Sequence, residues 1–352
     1  MPEPPLPAAD LDHVLDLVGP AWDGLRGRRL FLTGGTGFVG GWLLEAILRA
    51  NDRMTLDCRV TLLTRDAGRL AARRPHLAGR ADLDVLEGDV KELDQARGVR
   101  SDVVLHLAVH EPQAASAGAQ QARFDDDLAA TRAVLGLAAR AGASRVLFTS
   151  SGAVYGRQPP SLVRVPEEYG GAPDPLDVTS AYAQAKRAGE FLCGAFAQAT
   201  GTCVTVARCF TFVGPRLPLD AGYAVGNFIR DALAGGPLEV LGDGRPERSY
   251  LYAADLAAWL LTIVDRGSSG RAYNVGSEQA VSILDLASLV ARTLAPGTPV
   301  VVRTTGTETS APPRYVPSTE RARKELGLTQ RISLEDAVRR TADWHLSKRS
   351  PV

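Results

Sequence analysis

Thr33-Gly34-Gly35-Thr36-Gly37-Phe38-Val39-Gly40 is the stretch on which the fold turns. It joins an apolar run at 30–33, read as a strand, to a helical pattern at 38–50. Glycines at 34, 37 and 40 follow Gly-x-x-Gly-x-x-Gly: the first permits a tight turn, the second lets backbone approach a diphosphate, and the third lets helix pack on strand. A helix N-terminus beginning at Phe38 and Val39 adds free N–H groups and the positive end of a dipole. Between a strand and an amphipathic helix, the triplet predicts a dinucleotide cradle made of Gly34, Gly37, Phe38, Val39 and Gly40.

Outward from the turn, a carboxylate for the adenosine ribose is expected some 20 residues on, at the end of the second strand. Thr64 and Arg65 stand there. A carboxylate would repel a ribose 2′-phosphate, whereas a guanidinium pairs with one, so the residues favour NADP, with NAD as the alternative. The other reading leaves Arg65 in solvent. Asp89 and Val90 follow the third strand, where the aspartate either meets the adenine amino group or caps the next helix.

Strands are expected at 30–33, 60–63, 83–86, 103–108, 146–149 and 202–206, with helices at 38–50, 124–141 and 181–199 among them. Parallel neighbours need crossover helices, so this alternation predicts an α/β fold, a doubly wound parallel sheet of Rossmann type. Past Gly214-Pro215, helices at 227–234, 253–264 and 283–294 are joined by loops rich in Gly and Pro, which predicts a smaller C-terminal lobe with segments returning to the sheet. Three parts follow: an extension at 1–28 with an accessory helix at 10–22, a dinucleotide-binding domain at 29–214, and a substrate-binding lobe at 215–346. The proline-rich residues 1–9 read as mobile.

The 352 residues balance 40 basic against 40 acidic side chains, so a nucleic-acid partner is not expected. The four cysteines lack Cys-x-x-Cys spacing and read as small apolar residues, with neither a disulfide frame nor a metal site. No run approaches the roughly 18 apolar residues of a membrane span, and the N-terminus is not patterned as a signal peptide. The expectation is a cytoplasmic protein.

Only four of the basic residues are lysines, and one of them, Lys186, lies four residues after Tyr182. Chance gives about 0.1 such Tyr-x-x-x-Lys pairs in a chain of this composition. On a helix the two share a face. An ammonium beside a phenol is expected to lower its pKa and make a proton donor and acceptor that works near neutral pH.

With these pieces in place, the chain resembles the extended short-chain dehydrogenase/reductase family, in its nucleotide-sugar epimerase, dehydratase and reductase branch. Thr149-Ser150-Ser151-Gly152-Ala153-Val154-Tyr155-Gly156 looks like the catalytic serine segment, and Arg208 to Pro215 is similar to the segment entering the substrate lobe. The resemblance implies Ser151, Tyr182 and Lys186 as catalytic residues, with Lys186 also holding the nicotinamide ribose and with Ala108 and Thr149 on the cofactor. It implies Ser151, Thr211, Asn227, Arg248 and Arg314 on the substrate, the two arginines about its diphosphate. Departures matter too. Where sugar dehydratases carry an Asp-Glu pair this chain has Gly152 and Ala153, and nucleotide-sugar acid decarboxylases usually carry a glutamate at the place of Ala153. Asp127 replaces the family's helix asparagine, and Thr211 an asparagine near the substrate diphosphate.

What remains is an enzyme that moves hydride and one proton. The first reading is a ketoreductase using NADPH on a nucleotide-linked deoxysugar; the second is an NAD-dependent epimerase; a non-catalytic nucleotide sensor is a distant third. Apolar residues on more than one side of helices 124–141 and 181–199 (Leu128, Val134, Leu135 and Leu137; Phe191, Leu192 and Phe196) predict a homodimer.

Overall fold

The computed structural model describes residues 2–96, 98–109, 116–304 and 312–348. Its first half runs α1 (Ala8–Val18), β1 (Arg29–Thr33), α2 (Phe38–Met54), β2 (Arg59–Thr64), α3 (Ala67–Arg73), β3 (Leu83–Glu87), β4 (Val103–His106), α4 (Ala117–Ala141), β5 (Arg145–Ser151), α5 (Ala181–Thr200) and β6 (Cys203–Cys209). There follow β7 (Phe212–Val213), α6 (Ala224–Leu233), β8 (Leu238–Val240), β9 (Glu247–Arg248), β10 (Leu251–Tyr252), α7 (Ala253–Arg266), β11 (Arg271–Val275), β12 (Val281–Ser282), α8 (Ile283–Leu294), β13 (Val300–Val302), β14 (Arg314–Tyr315), α9 (Glu320–Leu326) and α10 (Leu334–Ser347).

Seven strands form one sheet in the order β11-β6-β5-β4-β1-β2-β3, every pair parallel. Side chains alternate across a strand, and β1 shows the consequence. Leu30 and Leu32 join the core beneath α1, α2 and α7, while Phe31 joins the core beneath α4 and α5. Both faces are covered, so the strands read as continuous apolar runs. The strand order reverses between β1 and β4, which opens a crevice at the carboxyl ends of the strands. Both the glycine turn and the end of β5 lie on that side.

The helices differ from the periodicity in instructive ways. α4 begins at Ala117, seven residues before the expected start, because Ala-Gly-Ala-Gln-Gln-Ala-Arg carries no large apolar residue to mark a face. Ser116 caps it by accepting from the Ala119 N–H at 3.3 Å, and Gly142, at φ +73°, closes it. From Ala253 to Val264 every residue of α7 is buried, since α1 and α2 pack against it. Asp255, at its first turn, is buried and accepts from the backbone N–H groups of Arg331 and Ile332 and pairs with His13 of α1 at 2.9 Å. The extension is therefore part of the main layer.

The expectation of mobility for residues 1–9 is overturned for the residues described. Glu3 and Leu6 are only 7% and 3% exposed. A proline-rich composition suggests a free tail, but here charged and apolar side chains at positions 3 and 6 find buried partners that no local pattern reveals.

Candidate active site

Thr33 ends β1 with its hydroxyl buried, accepting from the backbone N–H groups of Leu107 and Ala108 at 3.2 Å each and meeting His106 Nδ1 at 2.9 Å. That ties the glycine turn to the end of β4. Gly34 has φ +73°, and a Cβ there would stand 2.7 Å from the Ala108 nitrogen. A Cβ on Gly40 would stand 2.3 Å from the Gly34 carbonyl oxygen. Both clashes are with backbone, so the turn admits no side chain at either place. Phe38, Val39 and Gly40 open α2, and their N–H groups have no partner within the helix. The result is a bare cradle of backbone donors, which fits a diphosphate.

At the end of β2, Thr64 is buried and its hydroxyl faces the Asp66 backbone. Arg65 is exposed and forms no ion pair among the described residues. Asp66 is committed to capping α3, accepting from the Arg69 N–H at 2.7 Å. Asp89 accepts from the Lys91 N–H at 2.8 Å, so the capping alternative describes its carboxylate in this structure. Val90 opens the short turn that Asp89 caps.

Ser151, the last residue of β5, and the first two turns of α5 meet at the mouth of the crevice. Lys186 is buried, and its ammonium donates to the Thr149 carbonyl at 2.8 Å while the Thr149 hydroxyl donates to the His106 carbonyl at 3.1 Å. It sits 5.8 Å from the centre of the Tyr182 ring. The expected lowering of the Tyr182 pKa by Lys186 is not what this geometry gives. Burial pushes the phenol up to about 12, against the opposing pull of a hydrogen bond from Ser151 and of the Arg123 guanidinium. Lys186 itself is lowered by burial, with Asp127 acting in the other direction. The reason is desolvation: Lys186 shares the water-poor surroundings that raise the phenol's pKa.

Two residues with no motif to mark them complete the centre. Arg123 of α4 lies with its guanidinium carbon 4.3 Å from the centre of the Tyr182 ring. Tyr315 of β14 brings its hydroxyl 3.5 Å from that of Ser151 and stacks on Phe210 at 4.6 Å. A Cβ on Gly152 would lie 2.7 Å from the Tyr315 oxygen, so Tyr315 fills the space a side chain at 152 would need. Helical spacing from Asp127 is the one signal that could have found Arg123; Tyr315 is reached only by long-range strand pairing.

On the C-terminal side, β9 and β14 run parallel with Arg314 beside Glu247 and Tyr315 beside Arg248. Arg248 lies 6.0 Å from the Tyr315 ring and is thereby brought near Ser151, whose hydroxyl Tyr315 faces. Arg314 is paired with Glu247, which occupies its guanidinium. Among the described residues, the Thr211 hydroxyl is buried without a hydrogen-bond partner, as is that of Ser249, and such orphaned groups suit a bound polar ligand. Asn227 lies in the first turn of α6, bonded to Arg230, and no contact joins it to Ser151 or Tyr182 among the described residues.

Comparison with known proteins matches residues 30–276, well over half of the chain, to the NAD dependent epimerase/dehydratase family. UDP-glucuronic acid decarboxylase 1 of Xenopus tropicalis is 29% identical over 318 residues, 90% of this chain and 72% of the relative. UDP-glucuronic acid decarboxylase 2 of Arabidopsis thaliana is 30% identical over 320 residues, 89% of this chain and 67% of the relative. Among solved structures, UDP-glucose 4-epimerase of Thermotoga maritima superposes with a TM-score of 0.77 at 20% identity, over 92% of this chain and 100% of that one, a likeness of fold.

Proposed function

The chain belongs to the NAD dependent epimerase/dehydratase family, and from that premise we propose that it reduces a keto carbon of a nucleotide-linked sugar, with NADPH as the reductant and Tyr182 as the proton donor. One observation carries this reading: the hydroxyl centre of Ser151, Tyr182 and Tyr315 has neither a carboxylate at 152 or 153 nor room for one at 152. Elimination of water calls for an additional acid or base there, and the family's acid decarboxylases usually carry a glutamate at the place of Ala153. Reduction needs a proton donor alone, and a buried phenol held protonated is ready as one.

When bound, the dinucleotide supplies the hydride. Gly34, Gly37, Phe38, Val39 and Gly40 would hold its diphosphate; Thr64 and Arg65 would flank the adenosine ribose, with Asp89, Val90 and Ala108 near the adenine side; Thr149 and Lys186 would stand at the nicotinamide end. Tyr182 gives its proton to the sugar oxygen while Ser151 donates a hydrogen bond to the same atom. The Lys186 ammonium, so close to the ring, then stabilises the phenolate left behind. Arg248, beside Tyr315, would pair with the substrate diphosphate in fork geometry, with Thr211 and Asn227 lining the nucleotide side and Arg314 acting through Glu247.

The second reading is an epimerase that oxidises and re-reduces one carbon on tightly held NAD. It is favoured by the family's own description, which names NAD. The choice rests on Arg65, exposed and without an ion pair among the described residues, where an acidic residue would serve NAD. Incubating the protein with NADPH and with keto and hydroxy forms of UDP- and dTDP-linked sugars decides between them. Consumption of NADPH with a keto sugar is the expected result. Interconversion of hydroxyl epimers without net cofactor turnover would establish the epimerase, and carbon dioxide released from UDP-glucuronic acid would overturn both.

A further inference from the structure

Beneath the glycine turn lies a buried ion cluster that the reaction does not use. Arg74, 2% exposed, follows α3 and donates from Nη1 to the Gly35 carbonyl and from Nη2 to the Thr36 carbonyl, each at 3.0 Å. Its Nε donates to Glu3 Oε2 at 3.1 Å. Arg216, also buried, lies against the same place: a Cβ on Gly41 would meet the Nη1 atoms of Arg74 at 2.9 Å and Arg216 at 3.2 Å. Two guanidinium groups thus share one dry pocket with two carboxylates, which also meet groups at its edge: Glu3 pairs with Arg73 at 2.7 Å and lies 3.8 Å from Lys348, and Glu45 meets His76 at 3.0 Å. Glu45 of α2 pairs with Arg216, and Glu3 stands 3.7 Å from Arg216 as well as on Arg74. Burial raises the Glu3 carboxyl and Arg74 draws it down, with the balance below the usual carboxylate range, so Glu3 is ionised.

Glu3 is held there by its whole segment. Its N–H donates to the Arg73 carbonyl at 2.6 Å, the Leu6 N–H donates to Glu45 at 3.0 Å, and Trp344 of α10 donates to the Pro5 carbonyl at 3.3 Å. Residues 3–6 therefore run as a strap from α3 across α2 to the C-terminal helix, passing under the turn.

A trans peptide unit points its N–H opposite to its C=O. Fixing the Gly35 carbonyl on Arg74 turns the Thr36 N–H to the far side of the loop. Fixing the Thr36 carbonyl keeps the Gly37 N–H on the Gly34 carbonyl, at 3.0 Å, which closes the turn. We propose that Glu3 and Arg74 are positioning residues for dinucleotide binding: the N-terminal strap, through Glu3, holds the guanidinium that sets the backbone donors of the cradle toward a diphosphate. This rests on the reading of the turn as a dinucleotide site.

The test is calorimetric titration of NADPH, NADP, NAD and ADP into the full chain, wild type and Glu3→Gln, with adenosine measured by competition and melting followed in parallel. Glu3→Gln keeps the shape and removes the charge. Every diphosphate ligand should bind about tenfold more weakly or worse, the size of a lost hydrogen bond to a charged group, while adenosine changes by less than about twofold on the same scale. Glu3→Asp, which keeps the charge on a shorter arm, should fall between, and it decides the matter if Glu3→Gln does not fold. A lower melting temperature with unchanged diphosphate affinity would make the cluster a structural brace only and overturn the proposal. So would tighter binding, the result if the freed positive charge acted simply by attraction. A wild-type chain that binds no dinucleotide would instead overturn the cofactor reading.

Discussion

Tyr182 has two cations near its ring and yet its pKa is pushed up to about 12, because desolvation outweighs the opposing pull of Ser151 and Arg123. Tyr182→Phe removes the proton and almost no volume. Its melting temperature should match wild type while NADPH-dependent turnover falls about 100-fold or more, the usual size of a general acid's contribution. A variant retaining a tenth of the rate, on that scale, would take the role from Tyr182. His106 offers a test that needs no substrate. Its ring bridges Thr33 at 2.9 Å and Thr131 at 3.4 Å, and burial pushes its pKa from 6.5 down to about 3. Because the folded form refuses a proton that the unfolded chain accepts, its contribution is complete above pH 6.5 and is lost as pH falls toward 3. The slope is about 1.4 kcal/mol per pH unit. Urea unfolding of wild type and His106→Gln at pH 7 and pH 5 should show the difference between them shrinking by about 2 kcal/mol. An unchanged difference would mean that His106 is reached by water.

At the scale of elements, the glycines separate by what stands opposite them. Gly40→Ala drives a methyl into the Gly34 carbonyl, a backbone atom that cannot move without opening the turn. Loss of dinucleotide binding and a stability drop of a few kcal/mol are expected. Gly194 lies in the interior of α5, where an added methyl would meet nothing within 4 Å. Gly194→Ala should therefore raise stability by roughly 0.5–1 kcal/mol through helix propensity. Thermal or urea unfolding of the two variants reads both signs, and a neutral Gly40→Ala would remove the packing account of the third glycine. The expected helix at 124–141 and the observed α4 differ for a related reason. Small residues near a helix start contribute little hydrophobic signal, and the Ser116 cap becomes visible only once the chain has turned into it.

For the whole molecule, the case for assembly narrows to fewer residues than the sequence offered. Val134, Leu135 and Leu137 are buried between α4 and the sheet, and Leu192 and Phe196 pack against the same core. Phe191 of α5 remains 75% exposed. A two-fold contact through α4 and α5 would cover it. Light scattering at micromolar concentration should give twice the 37.4 kDa of one chain, and Phe191→Asp should shift the mass toward the monomer. A wild-type mass of a single chain would end the dimer expectation. Among the described residues no helix is long and apolar enough to cross a membrane.

The βαβ rhythm, the glycine cradle and the Tyr182–Lys186 pair were all legible in the sequence, because each depends on residues within a few positions of one another. Local spacing fixes a turn, a helix face or an alternating strand before any distant segment arrives. Tyr315 over Gly152, Arg123 on the ring of Tyr182, and Glu3 beneath the turn through Arg74 were not legible. Each joins segments tens to more than a hundred residues apart. Their chemistry depends on burial as well as proximity: the same glutamate on a mobile tail would be an ordinary solvated charge, and the same phenol on an exposed helix would lack the desolvation that raises its pKa. Residue types and local order follow from the sequence read along its length, whereas the dielectric around each charge exists only after the chain has packed.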